Sequence, residues 1–349
     1  MSAATLAALA DASRSIGYLD GVHRALLTNA GTWAIAKREA AASATLAFGS
    51  VNERRMREAF TRRDYALDMG DAATAAAGTL QAMLGLTVRH HGRWSDDNAV
   101  VVSSVLRGQD SGLRDAASLR ASTVLTDDIA QCLDESRAPA LVQAAIATMC
   151  VAAVVPSDPR TAIVARHIGL VVLARAGACF DLRFPPVSWA LHSAPGAWET
   201  IETAVAGGGV PSEARVDEAL AVYFRAVAHA AHAAGFFVES AAGEVARAGG
   251  SARTRSRELT CNQQCVLDIA IGLPSVSMVQ LEALTGLTTR TLKRIVQVLE
   301  ERGAVDVRGA ASSDHMVVRA RRAMALHLDA IRHYPGGVAH PWPDVRGDS

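Results

Sequence analysis

The stretch SMVQLEALTGLTTRTLKRIVQVLEERGAVDVR, residues 277–308, carries the clearest structural pattern in this chain. Ser277 can cap a short helix that stops at Gly286, and Thr288 can cap a second helix that stops at Gly303. Serine and threonine suit these starts because their hydroxyl oxygens accept hydrogen bonds from unpaired backbone N–H groups. The stretch therefore predicts two helices joined by a tight turn.

The residues on either side predict a third helix and a β-hairpin. Residues 262–271 have an apolar helical face, and residues 304–308 and 315–319 are β-like runs separated by a polar turn. Together these elements resemble a winged helix-turn-helix, in which two helices meet at a glycine-containing turn. The resemblance implies double-stranded DNA as a partner. The alternative is a module that pairs with protein and whose basic residues form a solvated face.

The helix after Thr288 would present two faces of different chemistry. Four apolar side chains recur at intervals of three and four residues and are expected to pack inward: Leu292, Ile295, Val296 and Leu299. Arginine can hydrogen-bond guanine through two donors and glutamine can do so with adenine, whereas lysine suits phosphates. The residues that we predict to contact DNA are Thr288, Thr289, Arg290, Thr291, Lys293, Arg294, Gln297, Arg308 and His315.

The charge of the chain is balanced, with 35 Lys and Arg against 35 Asp and Glu. This balance gives no general attraction to nucleic acid or to a membrane surface. Residues 251–349 hold 13 Lys and Arg against 10 Asp and Glu, a net charge of +3, and the rest of the chain carries −3. The asymmetry is small but has the sign expected of a DNA-binding region.

Most of the remaining chain predicts alanine-rich helices. Of the 349 residues 50% are hydrophobic but 5% are aromatic, so alanine supplies much of the apolar content and favours helix. The clearest apolar helical segments are 35–46, 72–84, 141–155, 163–176 and 219–238. Trp33, Trp189 and Trp198 are expected to be core or interface anchors, and His229 and His232 to be core or surface side chains.

The domain boundaries follow from composition. The stretch 249–257 is rich in Gly, Ser and Arg, which predicts a linker. It would join a helical domain, residues 1–248, to the DNA-binding module, residues 258–333, and a flexible Pro- and Gly-rich tail would occupy residues 334–349.

The sequence indicates a cytoplasmic protein with no membrane contact. No apolar run approaches the roughly 20 residues needed to span a bilayer, and the first residues lack the pattern of a secretory signal. The chain has five cysteines, an odd number, and they are scattered along the sequence. We therefore expect buried, reduced thiols and not disulfide bonds. Cys261 and Cys265 fall one helical turn apart but have no further Cys or His at metal-site spacing, so we expect no metal and no other cofactor.

Several segments, in order, resemble the Fic (Doc/adenylyltransferase) family over essentially residues 1–330. They are IGYLDG at 16–21, KREAAAS at 37–43, GLR at 112–114, PALVQAA at 139–145 and FPPVSWA at 184–190. This resemblance implies a Fic-like helical domain. The predicted fold class is therefore mainly α, with a Fic-like helical domain followed by a winged helix-turn-helix domain that contains a small β-hairpin.

The family motif HPFxxGNGRxxR corresponds here to VPSDPRTAIVAR, residues 155–166, and departs from it at the functional positions. Val155 stands at the position of the histidine that accepts the proton of the target hydroxyl, and valine cannot act as a base. The Gly-Asn-Gly turn that lets backbone N–H groups approach phosphates is replaced by Arg-Thr-Ala at 160–162. The residues of this degenerate motif are Val155, Pro156, Asp158, Arg160 and Arg166.

The inhibitory helix that the resemblance implies is also altered. Ser43 matches its serine, but Ala47 stands at the position of the glutamate that pairs with the motif arginine. Loss of the motif and loss of its inhibitor together favour a catalytically degenerate domain with no catalytic residues.

These observations predict a homodimeric transcriptional regulator of the repressor type. Its Fic-like domain would dimerise or sense a small-molecule or nucleotide effector. The alternative is a divergent Fic enzyme that transfers AMP or a related phosphate-containing group to a protein hydroxyl. It would hold the nucleotide with Asp158, Arg160 and Arg166 and take a base such as His167. A third possibility is an interaction protein that binds a partner between its domains.

Overall fold

The structure of this protein is a computed structural model. It describes residues 1–25, 30–52, 55–56, 59, 72–88, 137–153, 158–175, 185–206, 211–253, 259–273, 276–308 and 316–320. These residues are mainly α-helical, with one small antiparallel sheet. They divide into two compact units. The first contains the described residues of 1–20 and 38–232, and the second contains those of 21–37 and 233–339.

Most of the described helices precede residue 254. They are α1 (Ala3–Ala25), α2 (Ala30–Phe48), α3 (Ala72–Val88), α4 (Ala140–Ala152), α5 (Pro159–Arg175), α6 (Val187–Ser193), α7 (Ala197–Val205) and α8 (Glu213–Arg253). Each predicted alanine-rich segment overlaps one of these helices, although residues 154–155 and 176 of the predicted segments lie outside the described residues. None of the helices in the described ranges combines the length and the apolar character that a membrane span needs.

Helices α4 and α5 of the first unit pack closely because small residues line their contact. Ala144, Thr148 and Gly169 are all buried there. A Cβ atom added to Gly169 would overlap Thr148 Oγ1 and lie 2.8 Å from Tyr223 Oη of α8. A side chain at position 169 is therefore excluded by the approach of two neighbouring helices.

The second unit contains the predicted C-terminal module. Its elements are α9 (Cys261–Gly272), β1 (Val276–Ser277), α10 (Met278–Thr285), α11 (Thr289–Glu301), β2 (Val305–Arg308) and β3 (Val317–Ala320). The strand order is β1-β3-β2, and both pairings are antiparallel. The predicted hairpin is present as β2 and β3, with Val307 opposite Val318. The two-residue strand β1 was not predicted.

The predicted helix caps of this module are confirmed. Ser277 forms a capping box with Gln280, and Gly286 ends α10 in the left-handed conformation at φ 68°. Thr288 Oγ1 accepts a hydrogen bond from Thr291 N at 3.4 Å. Thr260 caps α9 in a second capping box, which was not predicted.

Several helix boundaries differ from the predicted ones, and two of the differences have a bearing on the domain organisation and on the predicted motif. Helix α8 continues to Arg253 and thus covers the first five residues of the predicted linker 249–257. Helix α5 begins at Pro159, four residues before the predicted start. Proline is favourable in a first helical turn, and Asp158 Oδ2 accepts hydrogen bonds from both Thr161 N and Thr161 Oγ1 at 2.7 Å.

The expectation of buried thiols was wrong for the cysteines that the structure describes. Cys150, Cys261 and Cys265 are exposed. Cys150 lies on the alanine-rich helix α4, where sequence alone does not show which face is buried. Cys261 and Cys265 lie in the first turns of α9, beside the polar residues Asn262 to Gln264. Although Cys265 is exposed overall, partial burial of its thiol, together with the nearby Asp268 carboxylate, raises the pKa of that thiol. Cys132 and Cys179 lie outside the described residues.

Candidate nucleic-acid interface

Helix α11 separates apolar from cationic side chains, as its sequence period predicts. Leu292, Ile295, Val296 and Leu299 are buried in the second unit. The side chains on its solvent face are Arg290, Lys293, Arg294 and Gln297, all exposed. Within the described ranges, neither the two arginines nor the lysine has an acidic group within 4.0 Å. The face therefore presents three cations that no described carboxylate neutralises.

A groove runs between this face and the start of α9. Its walls are Thr260, Asn262, Gln263, Arg290, Thr291, Arg294, Ile295 and Val298. Two of the three exposed cations of α11 line this groove. The remaining lining is mostly polar, which suits an anionic and hydrated ligand better than an apolar one.

The three threonines at the start of α11 bond to the protein itself. Thr288 caps the helix, and its hydroxyl lies 3.0 Å from that of Thr291. Thr289 donates both its backbone N–H and its hydroxyl to Glu282 Oε1, at 3.1 and 2.9 Å. These bonds fix the turn between α10 and α11. Sequence reasoning missed Glu282, which lies inside α10, seven residues before Thr289, and is not in the first turn of α11 where an acidic residue would be a recognisable signal.

The far end of the same face is acidic. Glu300 and Glu301 are exposed in the last turn of α11, and Gln297 Nε2 donates to Glu301 Oε1 at 3.0 Å. Arg308 is exposed at the end of β2. His315, the other predicted hairpin contact, lies outside the described residues.

Arg166, predicted to belong to a degenerate motif, is buried in the first unit and bonds to Ser43 of α2. Its Nε donates to Ser43 Oγ at 3.1 Å, and its Nη2 donates to Ser43 O at 2.7 Å. Its guanidinium carbon lies 4.4 Å from the centroid of the Trp198 ring. Burial lowers the pKa of Arg166 to about 9, although Glu39 and Glu202 act to raise it. Nη1 has no hydrogen-bond partner among the described residues.

Glu39 is a buried carboxylate that sequence reasoning missed. It accepts hydrogen bonds from Ser188 N at 2.8 Å and from Trp189 N at 3.3 Å, at the start of α6. Burial raises the pKa of Glu39 to about 7, against the lowering effect of these bonds and of Arg166. Its position in KREAAAS, an acidic residue inside an alanine-rich helix, was the available signal.

The remaining residues of the alternative nucleotide site are in different environments. His167 is 2% exposed, and burial lowers its pKa to about 4. Neither of its ring nitrogens has a hydrogen-bond partner in the part of the chain that the structure describes. Asp158 caps α5, and Arg160 is partly exposed. Val155 and Pro156 lie outside the described residues. In the part of the chain that the structure covers, no three His, Cys, Asp or Glu side chains are grouped to hold a metal ion.

The tryptophans and the histidine pair of α8 are packing residues. Trp33, Trp189 and Trp198 are all buried. His229 stacks on Trp189 with ring centroids 5.1 Å apart, and burial is the main cause of the lowered pKa of this histidine. His232 stacks on Tyr18 at 5.5 Å.

A comparison with solved structures finds a crystal structure of a Fic family protein from Desulfovibrio desulfuricans G20. It is 13% identical to this chain, and the similarity covers 92% of this chain and 96% of that chain, with a TM-score of 0.43. A similarity at this level says nothing about the site or its chemistry. No protein-family model matches the sequence, and a search of curated proteins finds no match.

Glu39→Gln is expected to change how stability depends on pH. Glu39 keeps its proton up to about pH 7 in the folded protein but loses it near pH 4.5 in the unfolded chain. The contribution of Glu39 to the free energy of unfolding therefore falls as the pH rises from 4.5 to 7. His167 acts in the opposite direction, because its contribution is lost as the pH falls from 6.5 towards 4. We expect the variant to be more stable than the wild type by about 2 kcal/mol near pH 8 and equally stable near pH 5.

Urea unfolding of both proteins at the two pH values measures this difference. Exposed Glu199 on α7 is the matched control, since Glu199→Gln should leave the difference between the two pH values unchanged. If the free energy of unfolding of Glu39→Gln differs from that of the wild type by the same amount at both pH values, the pKa of Glu39 is not raised.

Proposed function

We propose that this protein is a DNA-binding transcriptional regulator of the repressor type. Its second unit would act as a winged helix-turn-helix with α11 as the recognition helix. The observation that carries the proposal is the face of α11, where three cations and one amide are exposed opposite a fully apolar face. A helix with such a face fits the major groove, where arginine and glutamine read base edges and lysine contacts phosphates.

The neighbouring elements support this proposal. Glu282 holds the start of α11 against the end of α10 through Thr289, so the exposed side chains are presented on a fixed helix. The hairpin β2–β3 follows α11 directly and carries the exposed Arg308. A recognition helix followed by a hairpin allows contacts both to bases and to the adjacent backbone.

Arg294→Ala is the test of this proposal. We expect specific DNA binding to weaken by about 1–3 kcal/mol and the dependence of log affinity on log salt to become shallower by about one unit if Arg294 contacts a phosphate. Gel-shift titrations of the full chain against genomic fragments at several salt concentrations measure both effects. Arg215→Ala, at an exposed position of α8 in the first unit, should leave binding unchanged. A wild-type protein without salt-sensitive binding would overturn the proposal.

The helical domain would serve as a dimerisation or sensing module on a degenerate Fic scaffold. A homodimer would place two recognition helices about 34 Å apart, one turn of DNA, and would select an inverted repeat. An anionic effector, such as a small molecule or a nucleotide, would suit Arg166, whose Nη1 donors meet no acceptor among the described residues. We place this regulator in the cytoplasm. Sequencing of DNA fragments that co-purify with the protein reports the operator and its symmetry.

A further inference from the structure

The contact between Gln297 and Glu301 defines the orientation of an exposed amide on α11. Gln297 Nε2 donates to Glu301 Oε1 at 3.0 Å, one helical turn further along. The two ends of a glutamine amide are hard to distinguish by shape alone. An ionised carboxylate accepts hydrogen bonds and donates none, so it is the NH₂ end of Gln297 that faces Glu301. The amide oxygen is thereby directed to the other side.

This orientation matters for base reading. Glutamine recognises adenine by donating to N7 and accepting from the N6 amino group at the same time, which requires the oxygen and one N–H of the amide to face the base together. An untethered amide samples both orientations and loses that freedom on binding. In Gln297 one N–H is held by Glu301, while the second N–H and the oxygen remain available.

We propose that Glu301 is a positioning residue that sets the base preference of α11 by holding the Gln297 amide in the orientation that reads adenine. This inference rests on the proposed DNA-binding function of the same face. Glu301 touches Gln297 and does not need to touch a base itself.

Glu301 has a second effect, which its charge produces. The cations of α11 lie in its first two turns, at Arg290, Lys293 and Arg294, whereas Glu300 and Glu301 occupy its last turn. Carboxylates repel DNA phosphates, so this end of the helix opposes sequence-independent contacts. Glu300 contributes the same charge, but no hydrogen bond to Gln297 is present between these two described side chains. The orienting effect and the charge effect can therefore be separated.

Binding-site selection from a random DNA library, using the full chain, is the experiment. We expect the wild type to prefer adenine at one position by about tenfold, the size of one good bidentate contact. In Glu301→Ala and in Gln297→Ala this preference should fall below about threefold. Glu301→Gln should keep it, because the new amide oxygen still accepts from Gln297. The matched control Glu300→Ala should keep it as well. Glu301→Ala, Glu301→Gln and Glu300→Ala each remove a carboxylate, so each should bind non-specific DNA about two- to fivefold more tightly than the wild type.

The outcomes separate this inference from the function on which it rests. A Glu301→Ala protein that selects adenine as strongly as the wild type overturns the positioning role while leaving DNA binding intact. Equal loss of the preference in Glu300→Ala overturns it too, because the effect would then be one of charge. A wild type that enriches no sequence overturns both. Position 301 is exposed at the end of α11, so circular dichroism of each variant should match the wild type.

Discussion

Gly169→Val is expected to destabilise the first unit by about 4 kcal/mol, by forcing apart α4, α5 and α8. The first added atom would overlap Thr148 Oγ1 and would lie 2.8 Å from Tyr223 Oη. Thr148 cannot rotate away without loss, because its hydroxyl donates to Ala144 O at 2.8 Å in the interior. Valine also brings two further methyl groups into the same space. Urea unfolding followed by circular dichroism measures the change in the free energy of unfolding.

The matched control is Gly78→Ala on α3. A Cβ atom at Gly78 meets nothing within 4 Å, so this variant should gain about 0.5–1 kcal/mol from the better helix propensity of alanine. Gly169→Ala, the same substitution in the same unit, should lose about 1–2 kcal/mol. If Gly78→Ala and Gly169→Ala change the free energy of unfolding in the same direction, the close packing of α4 and α8 against Gly169 does not exclude a side chain there.

Arg166→Ala is the second variant for which we expect a large effect, a loss of about 3–5 kcal/mol in the free energy of unfolding. The substitution removes two hydrogen bonds to Ser43 and the packing of the guanidinium on Trp198. It also leaves Ser43 O without this donor in the interior and opens a cavity. Removal of the nearby positive charge should raise the pKa of Glu39 further.

Two control variants test this explanation. Arg160→Ala lies on the same helix but is partly exposed, so it should change the free energy of unfolding by less than about 0.5 kcal/mol. Arg166→Lys keeps the positive charge but cannot form both hydrogen bonds to Ser43. It should therefore recover less than half of the free energy of unfolding that Arg166→Ala loses. Full recovery of stability with lysine would show that the positive charge, and not the directed hydrogen bonds, holds this site.

The enzymatic alternative is tested by incubating the wild type with labelled ATP and magnesium. Transfer of the label to protein that disappears in Arg166→Ala would establish activity.

The sequence was most informative where structure depends on neighbouring residues. Ser277, Thr288 and Gly286 mark helix ends through contacts within four residues, and these caps are confirmed. The faces of α11 follow from spacing alone, since strongly apolar and strongly charged side chains alternate along it. In the alanine-rich helices the same argument fails. Alanine is compatible with both a buried and an exposed face, so the exposure of Cys150 could not be predicted.

Several of the contacts that sequence reasoning missed join distant residues. Strand β1 has two residues and forms because Val276 pairs with Val318, about forty positions further along. Glu39 bonds to the start of α6, about 150 positions away, and Ser43 bonds to Arg166 across a similar separation. Ser43 and Arg166 were singled out separately, through the family resemblance, but their direct contact depends on how α2 and α5 meet. No local pattern contains that information.

The shortness of the outer strands has a consequence for self-association. The sheet ends on one side with the two residues of β1 and on the other with the four residues of β2. Each edge strand offers few unpaired backbone N–H and C=O groups. A strand from a second molecule could therefore form few hydrogen bonds with the edge of this sheet. Any pairing of subunits is therefore expected to use helical surfaces, which keeps the hairpin clear of neighbouring copies and resistant to fibril-like stacking.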